Sequence, residues 1–116
     1  MQEKRKHARK QLNCTFKVRD INSDQPIGCI VDLSEDGFML LTDQVHEAGK
    51  VLQLRVDFPM EVNGQDHIEL GAESLWVGAA NKARHFWAGF HIIDLSDSAA
   101  ATIAAVISKS KSKDSA

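Results

Sequence analysis

Apolar and polar residues alternate near the start of the chain, with Leu12, Cys14, Phe16 and Val18 set against Asn13, Thr15, Lys17 and Arg19. That is the period of a strand with one buried face. Residues 22–26 form a polar break, and residues 27–33 predict a second strand that returns antiparallel. A turn over residues 34–37 leads into a third strand over 38–42. Residues 50–58 alternate through Val51, Leu52, Leu54 and Val56, and Pro59 is expected to end that segment because proline cannot donate to a continuing ladder. Residues 68–77 and 86–94 supply two further β-like runs, with Asn63-Gly64 as a turn signal between the fourth and fifth segments. Short strands at this spacing predict a barrel or a sandwich.

The end of the chain differs in kind. Ser96 can cap a helix over residues 97–107 that is rich in alanine, with Asp97 suited to the positive end of the helix dipole. Ile103, Val106 and Ile107 give this helix one apolar stripe, as expected of a helix packed on its own barrel. The reading divides the chain into a flexible basic arm (1–11), a β-domain with its C-terminal helix (12–108) and a disordered tail (109–116).

The length of 116 residues and the balance of 43% hydrophobic with 26% charged residues fit one soluble globular domain. The first eleven residues lack the apolar core of a secretory signal, and no apolar run approaches the roughly 18 residues of a membrane span. A cytoplasmic protein without membrane insertion is expected, with Cys14 and Cys29 as reduced core residues. The net charge of −2 hides a polarised molecule. Seven cations face one anion over residues 1–19, whereas fourteen anions face four cations over residues 20–97. A basic arm on an acidic body suits a compact anion, and the body would repel a long nucleic acid.

Two short patterns could carry chemistry. Arg5 and Arg9 form Arg-x-x-x-Arg just before the first strand. Asp32, Ser34 and Gly37 form Asp-x-Ser-x-x-Gly across the turn between the second and third strands. The histidines His7, His46, His67, His85 and His91 have no metal-ligand spacing, and no nucleophile elbow or phosphate-binding glycine loop occurs. Neither a metal nor a catalytic site is predicted. Trp76 and Trp87 read as core or barrel-rim aromatics.

In that order and placement the two patterns resemble the PilZ domain family, and the resemblance covers nearly the whole chain. It includes the tryptophan of the fifth segment, Trp76, the late strand WAGFHIIDLS and the C-terminal helix; Ile92 stands where family members often carry phenylalanine. The resemblance implies an all-β fold with a C-terminal helix, a six-stranded antiparallel β-barrel, and a receptor for cyclic di-GMP rather than an enzyme. It assigns ligand contacts to Arg5, Arg9, Asp32, Ser34 and Gly37, with Lys4, Lys6, His7, Lys10 and Trp76 as accessory positions. It implies no further cofactor, and an effector protein as partner with a monomeric receptor.

The residue types suit that ligand. A guanidinium can fork onto guanine O6 and N7, lie against a purine face, or fork onto phosphate oxygens. A carboxylate such as Asp32 can take the N1–H and N2–H donors of guanine's Watson–Crick edge. Ser34 can donate to phosphate or shape the turn, and Gly37 supplies either a positive φ or close backbone approach. Two competing readings are a PilZ-like adaptor without nucleotide binding and a β-barrel that binds single-stranded nucleic acid. The acidic body argues against the second.

Overall fold

The structure is a computed structural model that describes residues 9–42, 48–79 and 86–114. Seven strands and one helix follow in order: β1 (Arg9–Gln11), β2 (Lys17–Asp20), β3 (Gln25–Ser34), β4 (Gly37–Thr42), β5 (Val51–Val62), β6 (Gln65–Ala79), β7 (Phe86–Asp94) and α1 (Asp97–Asp114). All pairings are antiparallel. The order β3-β2-β5-β6-β7-β4 closes on itself through a β3–β4 pairing, which makes the expected six-stranded barrel. β1 is an additional short strand on the β3 edge, beside the stretch that β2 occupies.

Period-two burial places the core inside the barrel. Val18, Ile30, Leu40, Leu54, Leu70, Ala72 and Ala88 are almost completely buried. Phe38 and Phe90 stack at 5.3 Å across the β4–β7 pair, and Phe16 meets Phe58 edge-on at 5.5 Å. Ile92, where the family often has phenylalanine, is buried in the same core.

The helix begins as expected. The Ser96 hydroxyl oxygen accepts a hydrogen bond from the Ala99 amide at 3.0 Å. Ala99, Thr102, Ile103, Val106 and Ile107 form its buried stripe. The Thr102 hydroxyl donates to Gln65 Oε1 at 2.8 Å, and Gln65 Nε2 donates to Ser98 Oγ at 3.2 Å, fastening the helix to the start of β6.

Four features depart from the sequence reading. The alternation from Leu12 to Val18 is not one strand. Residues 12–16 form the link between β1 and β2, with Cys14 at φ 68°, and only Lys17 and Val18 enter β2. Three residues assigned to the arm, Arg9–Gln11, pair with β3. Pro59 does not end β5, because the β5–β6 register slips between Asp57 and Val62 and the proline lies where no ladder bond is required of it. The helix runs past residue 107 and into the segment read as a disordered tail, as far as Asp114, since neither glycine nor proline stops it.

Cys14 and Cys29, expected as reduced thiols, are joined as a disulfide with their Cα atoms 4.9 Å apart. The backbone turn at Cys14 brings its side chain back to the β3 edge, which the strand periodicity alone did not reveal.

Candidate functional site

The Asp-x-Ser-x-x-Gly segment closes the hairpin between β3 and β4. Leu33 pairs with Phe38, Asp32 with Met39 and Ile30 with Leu40. Phe38 and Leu40 point into the core, so Met39 and its cross-strand partner Asp32 belong to the outer face. Asp32 is nevertheless only 6% exposed, a buried carboxylate on the outside of a barrel. Burial of a charged group there is costly unless something polar repays it.

Ser34 is held by its neighbours. Its hydroxyl lies 2.9 Å from Asp36 Oδ1 and 3.2 Å from the Gly37 carbonyl oxygen, and its single proton serves one of them at a time. The Asp36 carbonyl oxygen accepts from the Ile92 amide at 2.9 Å, tying the turn to β7. Gly37 pairs with His91 in that strand. A Cβ at Gly37 would lie 2.5 Å from the Phe90 carbonyl oxygen, so of the two roles open to this glycine the structure selects close approach.

β1 brings Arg9 to the turn. Its register sets Arg9 opposite Ser34, Lys10 opposite Leu33 and Gln11 opposite Asp32. Arg9 and the turn are thereby brought together through backbone pairing. Arg5, Lys4, Lys6 and His7 lie outside the described residues, as do His46 and His85.

The outer surface continues from Asp32 across neighbouring strands. Met39 pairs with Gly89, and Gly89 pairs with Trp76. The Trp76 ring folds over Gly89 so closely that a Cβ there would lie 2.5 Å from the indole Nε1. Trp76 is 45% exposed, so it is an outer-face aromatic and not the core or rim residue the sequence suggested. One cross-strand row therefore runs Gln11, Asp32, Met39, Gly89, Trp76. Neighbouring strands lie about 4.8 Å apart. Asp32 and Trp76 are thus three strand steps apart, roughly 14 Å measured along the curved sheet.

Sequence reasoning missed Met39 and Gly89 as the floor of this row. Their signal was faint: an outward position between the inward Phe38 and Leu40, and a glycine inside a strand that marks a close approach.

Two arginines elsewhere on the barrel are already engaged. Arg19 Nη1 lies 3.1 Å from Asp24 Oδ1, and Arg55 Nε lies 2.7 Å from Asp57 Oδ1. The hydrogen bond to Asp57 holds the Arg55 guanidinium above its ordinary pKa. These two arginines neutralise barrel carboxylates and stand apart from the Ser34 turn. Among the described residues no group of three or more His, Cys, Asp or Glu side chains is placed to hold a metal ion, and no helix is long and apolar enough to cross a membrane.

Comparison with solved structures returns the same barrel. The PilZ domain of YcgR from Escherichia coli with c-di-GMP matches at a TM-score of 0.70 and 13% identity, over 96% of this chain and 94% of that one. YcgR from E. coli in complex with c-di-GMP matches at 0.73 and 13% identity, over 96% of this chain and 47% of that one. The Bacillus subtilis inhibitor of motility, MotI/DgrA, matches at 0.72 and 14% identity, over 96% of this chain and 53% of that one. At these identities the likeness is one of fold, and the chain spans about half the length of two of these proteins. No curated protein matches the sequence. The family model for the PilZ domain matches residues 3–109, nearly the whole chain, with both arginines and the Asp-x-Ser-x-x-Gly turn inside it, and the chain therefore belongs to the PilZ domain family.

Proposed function

We propose that this protein is a receptor for cyclic di-GMP that binds the nucleotide between its N-terminal segment and the outer face of the barrel. The observation that carries the reading is the β1–β3 register, in which Arg9 stands opposite Ser34 and Gln11 opposite Asp32. Arg9 and a turn more than twenty residues away in sequence thus meet at one place. The YcgR structures with c-di-GMP share this fold and support the choice of ligand.

In this reading Arg9 and Arg5 donate to guanine O6 and N7 or to phosphate oxygens. Asp32 accepts from guanine N1–H and N2–H, which gives the site its base preference. Ser34 turns its proton from Asp36 to a phosphate oxygen. Gly37 keeps the turn low against β7, and Trp76 offers a π-face to the second base at the far end of the row. Lys4, Lys6, His7 and Lys10 supply attraction to the anion without specifying it. No reaction is assigned to the domain.

Ordering of the N-terminal segment around the ligand would change the surface that an effector protein meets. Control of motility, attachment or exopolysaccharide production is the setting for such an output, and the likeness to a motility inhibitor supports it. Calorimetric titration with cyclic di-GMP, beside GTP and cyclic di-AMP, tests the reading. Saturable binding of cyclic di-GMP with far weaker binding of both controls is expected, and equal or absent binding of all three would sink it.

A further inference from the structure

The Cys14–Cys29 pair takes no part in the proposed nucleotide contacts, yet its position is specific. Cys14 sits in the linker that joins β1 to β2, at positive φ, three residues after Gln11. Cys29 lies in β3 and pairs with the outward Leu41. The β3–β4 register slips between Ile30 and Asp32, so Cys29 and Asp32 are successive outer-face residues of the same strand. The pair thus fastens the linker to β3 immediately beside the buried carboxylate of the site.

The linker is otherwise anchored at its two ends, where Leu12 packs on the core and Phe16 is buried against Phe58. Across it, the Leu12 amide donates to the Val31 carbonyl oxygen at 3.0 Å and the Ile30 amide donates to the Phe16 carbonyl oxygen at 2.9 Å. The Thr15 hydroxyl donates to Asn13 Oδ1 at 3.2 Å, within the linker itself. The Cα separation of 4.9 Å falls within the range a disulfide spans without backbone movement. Exposure differs between the two residues: Cys14 is partly exposed, whereas Cys29 is 9% exposed.

We propose that Cys14 and Cys29 form a thiol–disulfide redox site, with small-molecule disulfides as its reactants, and that its closed form holds β1 in register on β3. In the closing direction the Cys14 thiolate attacks one sulfur of the small disulfide, forming a mixed disulfide and expelling one thiolate, which takes up a proton. The Cys29 thiolate then attacks the Cys14 sulfur and expels the second thiolate, which is likewise protonated. The protein loses two hydrogens, its two sulfurs are oxidised, and the small disulfide is reduced to two thiols. Opening is the reverse, begun by a small thiol at the more exposed Cys14 sulfur. Closure removes freedom from the segment that carries Arg9, so less ordering remains for a ligand to impose.

The full chain is equilibrated in glutathione buffers of stepped oxidised-to-reduced ratio, free thiols are trapped, and intact mass is read. Progressive loss of two hydrogens without retained glutathione is expected. Cys29→Ser should accumulate a stable glutathione adduct at Cys14, and Cys14→Ser should not cyclise. Hydrogen exchange of residues 10–16 should be about tenfold slower in the oxidised wild type than in the reduced one, with the β5–β6 pair within about twofold. Two thiols that survive excess oxidised glutathione, or equal exchange of residues 10–16 in both forms, would overturn the proposal. These readouts use no nucleotide, so they stand or fall apart from the receptor reading. If cyclic di-GMP binds, its affinity should be several-fold higher in the oxidised form, and equal affinity would overturn the link to the site.

Discussion

Two tight hairpins of this barrel contain glycine for opposite reasons. At the β5–β6 connection Val62 pairs with Gln65, and Asn63 and Gly64 take φ 57° and 79°. Both central residues are left-handed, as a primed turn demands, and a Cβ at Gly64 would meet nothing within 4 Å. At the β3–β4 connection Gly37 has no such backbone requirement but lies under the Phe90 carbonyl, where a Cβ would come within 2.5 Å. The first hairpin is satisfied by local conformation. The second is satisfied only by its contact with β7, and it buries a carboxylate beside that contact. A turn satisfied by its own backbone and a turn satisfied by tertiary contact can thus be told apart by what surrounds the glycine.

The sharpest way to break this comparison is to exchange each glycine for alanine. Gly37→Ala should cost about 1–3 kcal/mol of stability by overpacking and should also weaken cyclic di-GMP binding. Gly64→Ala should cost about 1–2 kcal/mol through its left-handed backbone and leave binding unchanged. Thermal melts and titrations of the two variants check both halves, and equal loss of binding in both would remove the distinction.

Arg9→Ala tests the same site without touching the barrel. It should cost about 1–3 kcal/mol of ligand binding, the scale of a lost bidentate contact, with the melting temperature of the free protein little changed. Wild-type affinity would disprove the assigned contact. Asp32→Ala should alter selectivity more than anion attraction, so that cyclic di-AMP competes relatively better than it does in the wild type. An unchanged competition ratio would strip Asp32 of its base-reading role.

Smaller effects separate the hairpins further. Asp36→Asn removes a negative charge near the site while keeping an oxygen that accepts from Ser34, so affinity should rise by about 0.2–1 kcal/mol, an exposed-pair magnitude that shrinks with added salt. At the other hairpin the His67 ring nitrogen lies 2.7 Å from Asp66 Oδ1. That hydrogen bond holds the Asp66 carboxyl below its ordinary range. A lowered folded-state pKa gives stability that is present above the unfolded pKa and lost as pH falls through the folded one. The melting-temperature advantage of wild type over Asp66→Asn should therefore be small at neutral pH and vanish in acid, with no change in ligand affinity at any pH.

Much of the fold was legible along the chain because strand alternation, the Asn63-Gly64 turn and the Ser96 cap are short-range signals. The break at Cys14 was not legible, since apolar residues keep period two there while the backbone leaves the sheet. Pro59 misled because a proline is forbidden only where a ladder bond is required, and a register slip removes that requirement. The helix end was misplaced because lysine and serine alternation carries no stop signal of its own. Of the site, the residue types and their order could be read. The Met39 floor, the Gly89 gap under Trp76 and the disulfide beside Asp32 could not, because each joins strands that are distant in sequence.

The sequence by itself determined the six barrel strands in outline, the helix start, the two motifs and the opposed charges of the N-terminal segment and the body. These rest on periodicity, capping chemistry and composition, which act over a few residues or sum over all of them. The tertiary structure decided which residues meet: Arg9 with Ser34, Asp32 with Met39, Gly89 with Trp76 and Cys14 with Cys29. Register and barrel closure set those pairs, and they follow from packing the inner faces of all six strands at once, a condition that no local stretch of sequence contains.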